Sequence, residues 1–348
     1  MTRTIPDKMD ALQLRVYEGV AALTLAQKAV PRPGRGQVLV RMVAAPVNPS
    51  DLSFLEGHYG VTKRLPVVPG FEGSGTVVAA GPGLFGRLLL GRRVACAAHP
   101  REDGSWAGYM RTRATMCAPL LKEVSLEQGA TLIINPLTAW ALVQLARRAG
   151  HKALLQTAAA GALGRMILRL GQRFDLTVVH VVRRPAQVDL LHALGAGHVL
   201  DSSEPEFDAR LQEQCHELNV RLALDAVAGK MTGRLLDAMP RHSKAIVYGG
   251  LSGQAVRVDP RRLIFADQRV DGFWLADWMG HKGMLDWLLT VYRVQKALAA
   301  ELKTEVQERY PLREGVAAIR HYMDNMTEGK VLLLPGEARA LERSRRPL

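Results

Sequence analysis

The stretch "ALLQTAAAGALGRMILRL", residues 153–170, constrains the chain more than any other. An apolar run ends in small residues, and Leu163, Met166, Ile167 and Leu170 follow at the i, i+3, i+4, i+7 spacing of a buried helix face. Ala159, Gly161 and Gly164 stand at the G-x-G-x-x-G spacing, with alanine in the first slot. Minimal side chains let backbone N–H groups approach a pyrophosphate, and the helix dipole favours its charge. The bland alternative is a small-residue packing turn. What surrounds the turn favours the anion cradle.

From residue 131 the chain alternates strand and helix. "TLIINPLTAWALVQLARRAG" has helical spacing, with Pro136 near its start and Gly150 at its end. "ALLQTAA", "LTVVHVV", "HVLD", "RLALDAV", "KAIVYGG" and "RVDGFWL" are strand candidates, with helical segments between most of them. That order predicts a parallel sheet covered on both faces, a doubly wound α/β domain over 131–275. Residues 12–120 read differently, as short apolar runs such as "QVLVRMVAAPV" and "GTVVAAG" cut by Gly and Pro. They predict an antiparallel, barrel-like domain. A helix over 281–300 and a last strand-turn-helix-strand ending in "GKVLLLP" suggest that 276–348 rejoins 1–130.

A dinucleotide site shows its cofactor preference at the end of the second strand, about twenty residues past the last glycine. An acid there would hold the ribose hydroxyls of NAD, but "VVHVVRRP" offers Arg183 and Arg184. A guanidinium fork suits a 2'-phosphate, so NADP(H) is the expected cofactor. A solvated turn leading into the Pro185 helix is the other reading of these arginines.

The net charge of +13 is compatible with anionic partners, from phosphate-bearing cofactors to acidic carrier proteins and nucleic acid, without choosing among them. The basic residues are spread along the chain apart from the tail "ARALERSRRPL", which is expected to be mobile. Without aromatic-and-basic interleaving no specific nucleic-acid partner is expected. "MTRTIPDKMDALQL" resembles neither a secretory signal nor a membrane span, which points to a cytoplasmic chain with no membrane partner. Cys96, Cys117 and Cys215 form no C-x-x-C pair, so reduced thiols are expected and no disulfide framework.

The motifs "VNPSD", "LPVVPGFEGSGTVV", "GSWAGYM", "INPLTAW", "AAAGALG", "LGAGHVLD", "LDAVAGK", "VYGGL" and "LIFADQRVDGFWLADW" resemble, in sequence and order, the medium-chain dehydrogenase/reductase superfamily over about residues 10–335. "VVR", "AVAGK", "YGG" and "GFWL" look closest to its zinc-free trans-2-enoyl-thioester reductases, with quinone oxidoreductases near by. The resemblance implies a Rossmann doubly wound parallel sheet that binds NADP(H), plus a GroES-like, mostly antiparallel β-barrel catalytic domain, and homodimers through edge strands of the cofactor domain. Zinc-dependent relatives carry a cysteine where this chain has Asn48 and a histidine where it has Phe71. An amide and a phenyl ring lack the thiolate and imidazole a catalytic zinc needs, so no metal is expected.

Reducing a double bond conjugated to a carbonyl sends hydride to the β-carbon, builds charge on the carbonyl oxygen and needs a proton at the α-carbon. Tyr59, in "EGHYG", occupies the position of the proton-donating tyrosine in the reductases it resembles. A phenol, with an ordinary pKa near 10, is protonated at pH 7 and can donate. Alternatively the ring only packs the loop.

The resemblance also implies cofactor contacts. Asn135 and Thr138 match positions near the nicotinamide, and Ala160, Gly161, Ala162, Leu163 and Gly164 match the pyrophosphate turn. Tyr248, Gly249, Gly250 and Leu251 match a strand end beside the cofactor. Phe273, Trp274 and Leu275 match the segment whose backbone holds the carboxamide, and Lys330 matches a lysine near the cofactor. Asn48 would help place Tyr59 or the nicotinamide ribose. Trp274 and Trp278 either fill a core or wall an acyl pocket. The expected substrate is a 2-enoyl thioester on coenzyme A or acyl carrier protein. A quinone is the alternative substrate, and a non-catalytic NADPH-responsive binding protein is the reading from another class.

Overall fold

The computed structural model describes residues 4–335; the basic tail noted above lies outside them. Contacts divide the chain into two compact units, one made of residues up to Ile134 with those from Val291 onward, the other of Asn135–Thr290.

In chain order the strands of the described residues are β1 (Lys8–Leu14), β2 (Leu23–Ala29), β3 (Gln37–Pro46), β4 (Glu72–Ala80), β5 (Arg93–Ala97), β6 (Tyr109–Arg113) and β7 (Cys117–Pro119). Then come β8 (Ala153–Gln156), β9 (Thr177–Val182), β10 (His198–Asp201), β11 (Leu222–Asp225), β12 (Lys244–Val247) and β13 (Arg269–Gly272), and finally β14 (Val306–Pro311) and β15 (Lys330–Leu334).

The first unit is built around β3, whose ten residues serve three neighbours. One edge pairs with β4, while the other is shared between β6, opposite Gln37–Arg41, and β15, opposite Ala45 and Pro46. Register irregularities at Leu39/Val40 and Met42/Ala44 mark the β3–β4 pairing, and such bulges bend a strand and re-aim its side chains. The order β14-β15-β3-β4-β5-β7 is antiparallel except for the β14–β15 pair, as the mostly antiparallel expectation requires. Apolar clusters of the described residues fill this unit. Val38, Val40, Met42, Val77, Val94 and Met110 belong to one, and Leu12, Phe54, Trp106, Ile319 and Leu333 to another.

The second unit is a six-stranded sheet of order β10-β9-β8-β11-β12-β13, parallel throughout. Strands β8 and β11 are buried along their length and apolar up to the Gln156 and Asp225 that end them, as strands covered on both faces read. The helix Asn135–Arg148 starts at "NP" and stops before Gly150, whose φ of 79° is the left-handed conformation that ends helices. Chain order reverses between β8 and β11, so the crevice outside their carboxyl ends is the topological switch point where open α/β sheets bind ligands. One expected strand is shorter than its motif. "RVDGFWL" is extended and paired only to Gly272, because Trp274 already caps the helix Leu275–Gly280.

Candidate active site

In the first unit, "VNPSD" ends β3 and starts the helix Pro49–Leu55, with proline in its first turn, where a missing N–H costs nothing. Asp51 reaches back to accept the Asn48 N–H at 2.8 Å and also accepts the Phe71 N–H at 3.0 Å. Asn48 is buried, and both ends of its amide are held. Its Oδ1 accepts from Lys330 Nζ, and its Nδ2 donates to Glu72 Oε1 at 3.1 Å. Glu72 Oε2 takes the Ile133 and Ile134 N–H groups at 2.9 Å each. Lys330 also donates to the Val47 carbonyl at 3.2 Å and lies 5.4 Å from the centre of the Tyr322 ring.

Three ionisable groups are thus buried in one hydrogen-bonded cluster. Burial pushes the Asp51 carboxyl up to about 6, against the pull of the Asn48 and Phe71 N–H donors and of Lys330. Burial likewise drives Glu72 upward and Lys330 downward, each opposed by the other's charge. A cluster like this contributes little net stability, but leaving one member unpaired is costly, so it holds the Asn48 amide in one orientation.

Tyr59 is half-buried in the loop after that helix, its ring 4.7 Å from Phe71 and tilted by 39°. Phe71 packs edge-on against Phe54 at 5.5 Å. The structure therefore brings Tyr59 onto the residue that stands in the histidine position of zinc-dependent relatives. The three cysteines are buried free thiols, and burial pushes Cys117 and Cys215 up to about 12 each, so neither is a ready thiolate.

In the second unit, the turn after β8 opens the helix Ala162–Arg173. Gly161 caps that helix and lends no side chain to its first-turn N–H groups, which stay open to an anion. A Cβ on Gly164 would lie 2.4 Å from the Ala159 carbonyl oxygen, so only glycine allows the helix this close to the turn. Ala158 has a φ of 50°, strain of the kind that concentrates at ligand sites. Beneath the turn, Gln156 Nε2 donates to the Gly164 carbonyl at 2.9 Å and pairs with His180 Nδ1 at 2.8 Å. Burial, reinforced by His198 and His192, pushes His180 down to about 4 and keeps it neutral.

The loops after β8, β11 and β12 are tied together. Thr157 Oγ1 donates to Asp225 Oδ1 and accepts the Ala226 N–H, both at 2.8 Å, and Thr232 Oγ1 donates to Asp225 Oδ2 at 2.7 Å. Leu251 N–H donates to the Ala226 carbonyl at 3.0 Å, which sets Tyr248 to Leu251 at the switch point. Phe273 is fixed by its N–H on the Val247 carbonyl at 2.9 Å. Arg183 and Arg184 are exposed at the end of β9, with the Arg183 N–H on Gln187 Oε1 at 3.1 Å. Asn135 and Thr138 are buried in the first turn of their helix. Trp274 is 50% exposed, so the core reading does not hold for it, while Trp278 is partly covered, 6.5 Å from Phe273.

The second unit thus has the switch-point crevice and glycine turn of a dinucleotide-binding sheet, and the first the GroES-like arrangement. Two family models match accordingly, "Alcohol dehydrogenase GroES-like domain" over residues 34–122 and "Zinc-binding dehydrogenase" over 162–290. A crystal structure from Mesorhizobium loti, provisionally named an NADPH:quinone reductase, is 35% identical, with a TM-score of 0.90 over 95% of this chain and 100% of that one. The chain belongs to the medium-chain dehydrogenase/reductase superfamily. Within it, the chain is 28% identical to the mitochondrial enoyl-[acyl-carrier-protein] reductase of Caenorhabditis elegans, over 97% of this chain and 96% of that protein. It is also similar to a mycobacterial protein solved with NADPH, at 25% identity and a TM-score of 0.81 over 94% of this chain and 100% of that one.

Proposed function

We propose that the protein is an NADP(H)-dependent, zinc-independent reductase of carbon–carbon double bonds conjugated to a carbonyl, acting on a 2-enoyl thioester of coenzyme A or acyl carrier protein. The observation that carries this reading is the pairing of Tyr59 with Phe71, beside an Asn48 amide already engaged at both ends. That donor set does not fit a catalytic zinc: the ring of Phe71 offers no lone pair, and the Asn48 oxygen is taken by an ammonium. Polarisation of the substrate carbonyl and protonation of the α-carbon then fall to Tyr59 Oη.

The cofactor fits the second unit. The uncapped turn Ala160–Gly164 would hold the pyrophosphate, and Arg183 with Arg184 the 2'-phosphate. Asn135, Thr138 and the backbone of Phe273 to Leu275 would serve the nicotinamide half. Bound NADPH would supply the hydride that reaches the β-carbon. A second copy of the chain would pair along β13, which has only β12 beside it among the described strands.

The test is turnover of crotonyl-CoA and of a quinone panel by wild type and Tyr59→Phe. Crotonyl-CoA reduction that drops 10²-fold or more in the variant is expected for a lost acid. Full turnover by Tyr59→Phe would leave the ring a packing role. The second reading, an NADPH:quinone oxidoreductase, is supported by the likeness to the Mesorhizobium loti protein, and quinone turnover without enoyl-thioester reduction would select it.

A further inference from the structure

Lys63 lies four residues beyond Tyr59 on the same loop, and its side chain is buried to 6% exposure although no part of the site above uses it. Burying an ammonium is costly unless something holds it. Among the described residues its Nζ donates to the Glu102 carbonyl at 2.7 Å, and two aromatic faces lie near it. The ammonium lies 5.7 Å from the ring centres of both Phe54 and Phe71. Cation–π attraction of this kind strengthens as water is excluded.

Those rings form a series. Tyr17 meets Phe54 edge-on at 5.5 Å, Phe54 meets Phe71 at 5.5 Å, and Phe71 meets Tyr59 at 4.7 Å. The series closes back on the loop, because Tyr17 Oη donates to the Lys63 carbonyl and accepts the Lys63 N–H, both at 2.8 Å. One residue therefore anchors the Tyr59 loop through its backbone and presses a positive charge on the ring Tyr59 packs against.

We propose that Lys63 is a positioning residue for Tyr59: clamped by Tyr17 and seated on Phe54 and Phe71, it fixes the Tyr59 ring and favours the phenolate that proton donation leaves. This deepens the reading of Tyr59 as the acid and rests on it for its catalytic consequence. The titratable groups that face the ammonium are Asp51 on the helix before the loop and His99, Glu102 and Asp103 between β5 and β6, the Lys63 charge helping to hold His99 below its ordinary value. Asp103 is paired with Lys28 at 2.7 Å and Glu102 with Arg111 at 2.8 Å, so neither acid is free to neutralise Lys63 fully. Burial pushes Lys63 down to about 8 against the pull of those three acids, so its charge is present at pH 7 and is lost as pH rises through 8.

The experiment labels the tyrosine rings with ¹³C, assigns the Tyr59 resonance by its loss in Tyr59→Phe, and follows it by NMR from about pH 6 to 9, across the Lys63 titration and below the ordinary phenol pKa near 10. In wild type the resonance responds with a midpoint near that of Lys63. In Lys63→Met that midpoint vanishes, and crotonyl-CoA turnover at pH 7 falls about tenfold with the Michaelis constant for NADPH unchanged. Lys63→Arg keeps the charge, so it removes the midpoint but recovers most of the turnover, and Tyr17→Phe broadens the resonance without removing the midpoint. A Tyr59 resonance that behaves identically in wild type and Lys63→Met overturns the proposal, whatever the substrate. Full turnover by Tyr59→Phe with a resonance that still follows Lys63 would instead sink only the acid role of Tyr59. An additive loss in the double variant Tyr59→Phe/Lys63→Met would show that Lys63 does not act through Tyr59.

Discussion

Asn48 and Phe71 were legible as departures from a metal-binding pattern because each is the wrong donor in a recognisable motif. Tyr59 entered the candidate site only through resemblance. Asp51 and Glu72 went unread, although "NPSD" places an acid at the third helical position, where it can accept the N-cap N–H, and this spacing was a usable signal. Lys63 carries no local signal, since a lysine in a loop reads as solvated until the rings around it are placed. Asp51 also carries a pH signature. Its folded-state value, about 6, lies above the ordinary 3.8, so the folded chain holds the proton more tightly than the unfolded one. The associated stability is complete below 3.8 and is lost as pH rises through 6. Asp51→Asn removes that loss. Its stability relative to wild type is therefore expected to improve by up to about 3 kcal/mol between acid and neutral pH, as read by urea unfolding at pH values on either side of the window.

At the level of elements, the strand and helix pattern of the second unit was carried by periodicity, and β8 to β13 fall on the runs that predicted them. The end of β13 was not, because "GFWL" has strand-like side chains while Trp274 already caps the next helix, its carbonyl taking the Trp278 N–H. The hydrogen-bonded ties beneath the glycine turn, Gln156 to Gly164 and Thr157 to Asp225, were also hidden, since polar residues in an apolar strand reveal nothing of their partners. The turn itself makes a sharp comparison. Gly164→Ala sets a methyl group 2.4 Å from a backbone oxygen, whereas Gly161→Ala meets its nearest atom at 3.3 Å. Gly164→Ala should cost about 1–3 kcal/mol of stability and weaken NADPH binding tenfold or more, and Gly161→Ala should change stability far less. Chemical denaturation and NADPH fluorescence titration check both.

For the molecule as a whole, sequence texture separated a Gly- and Pro-cut antiparallel region from an alternating one, and the sheets differ in that way. Assembly is the property that texture cannot carry. In the same unit as β13, the helix Pro260–Phe265 exposes Ile264 at 69% and Phe265 at 67%, a large apolar surface for a segment of six residues. If a second copy covers it, light scattering on wild type will read twice 38.1 kDa, and Ile264→Asp with Phe265→Asp will halve that mass. A wild type that runs as one chain at micromolar concentration would remove the dimer from the proposed function.

The sharing of one β3 edge between β6 and β15 has a bearing on biosynthesis. A ribosome finishes the whole nucleotide-binding sheet before it reaches Lys330, the residue that neutralises Asp51 and Glu72. Until then, the earlier-made half of the first unit has a vacant place beside Ala45 and Pro46 and two buried acids with no counter-ion. The nascent chain must therefore shelter an unfinished sheet while its second unit folds, and the centre that carries the proposed chemistry is completed only after the segment that forms β15 has been made.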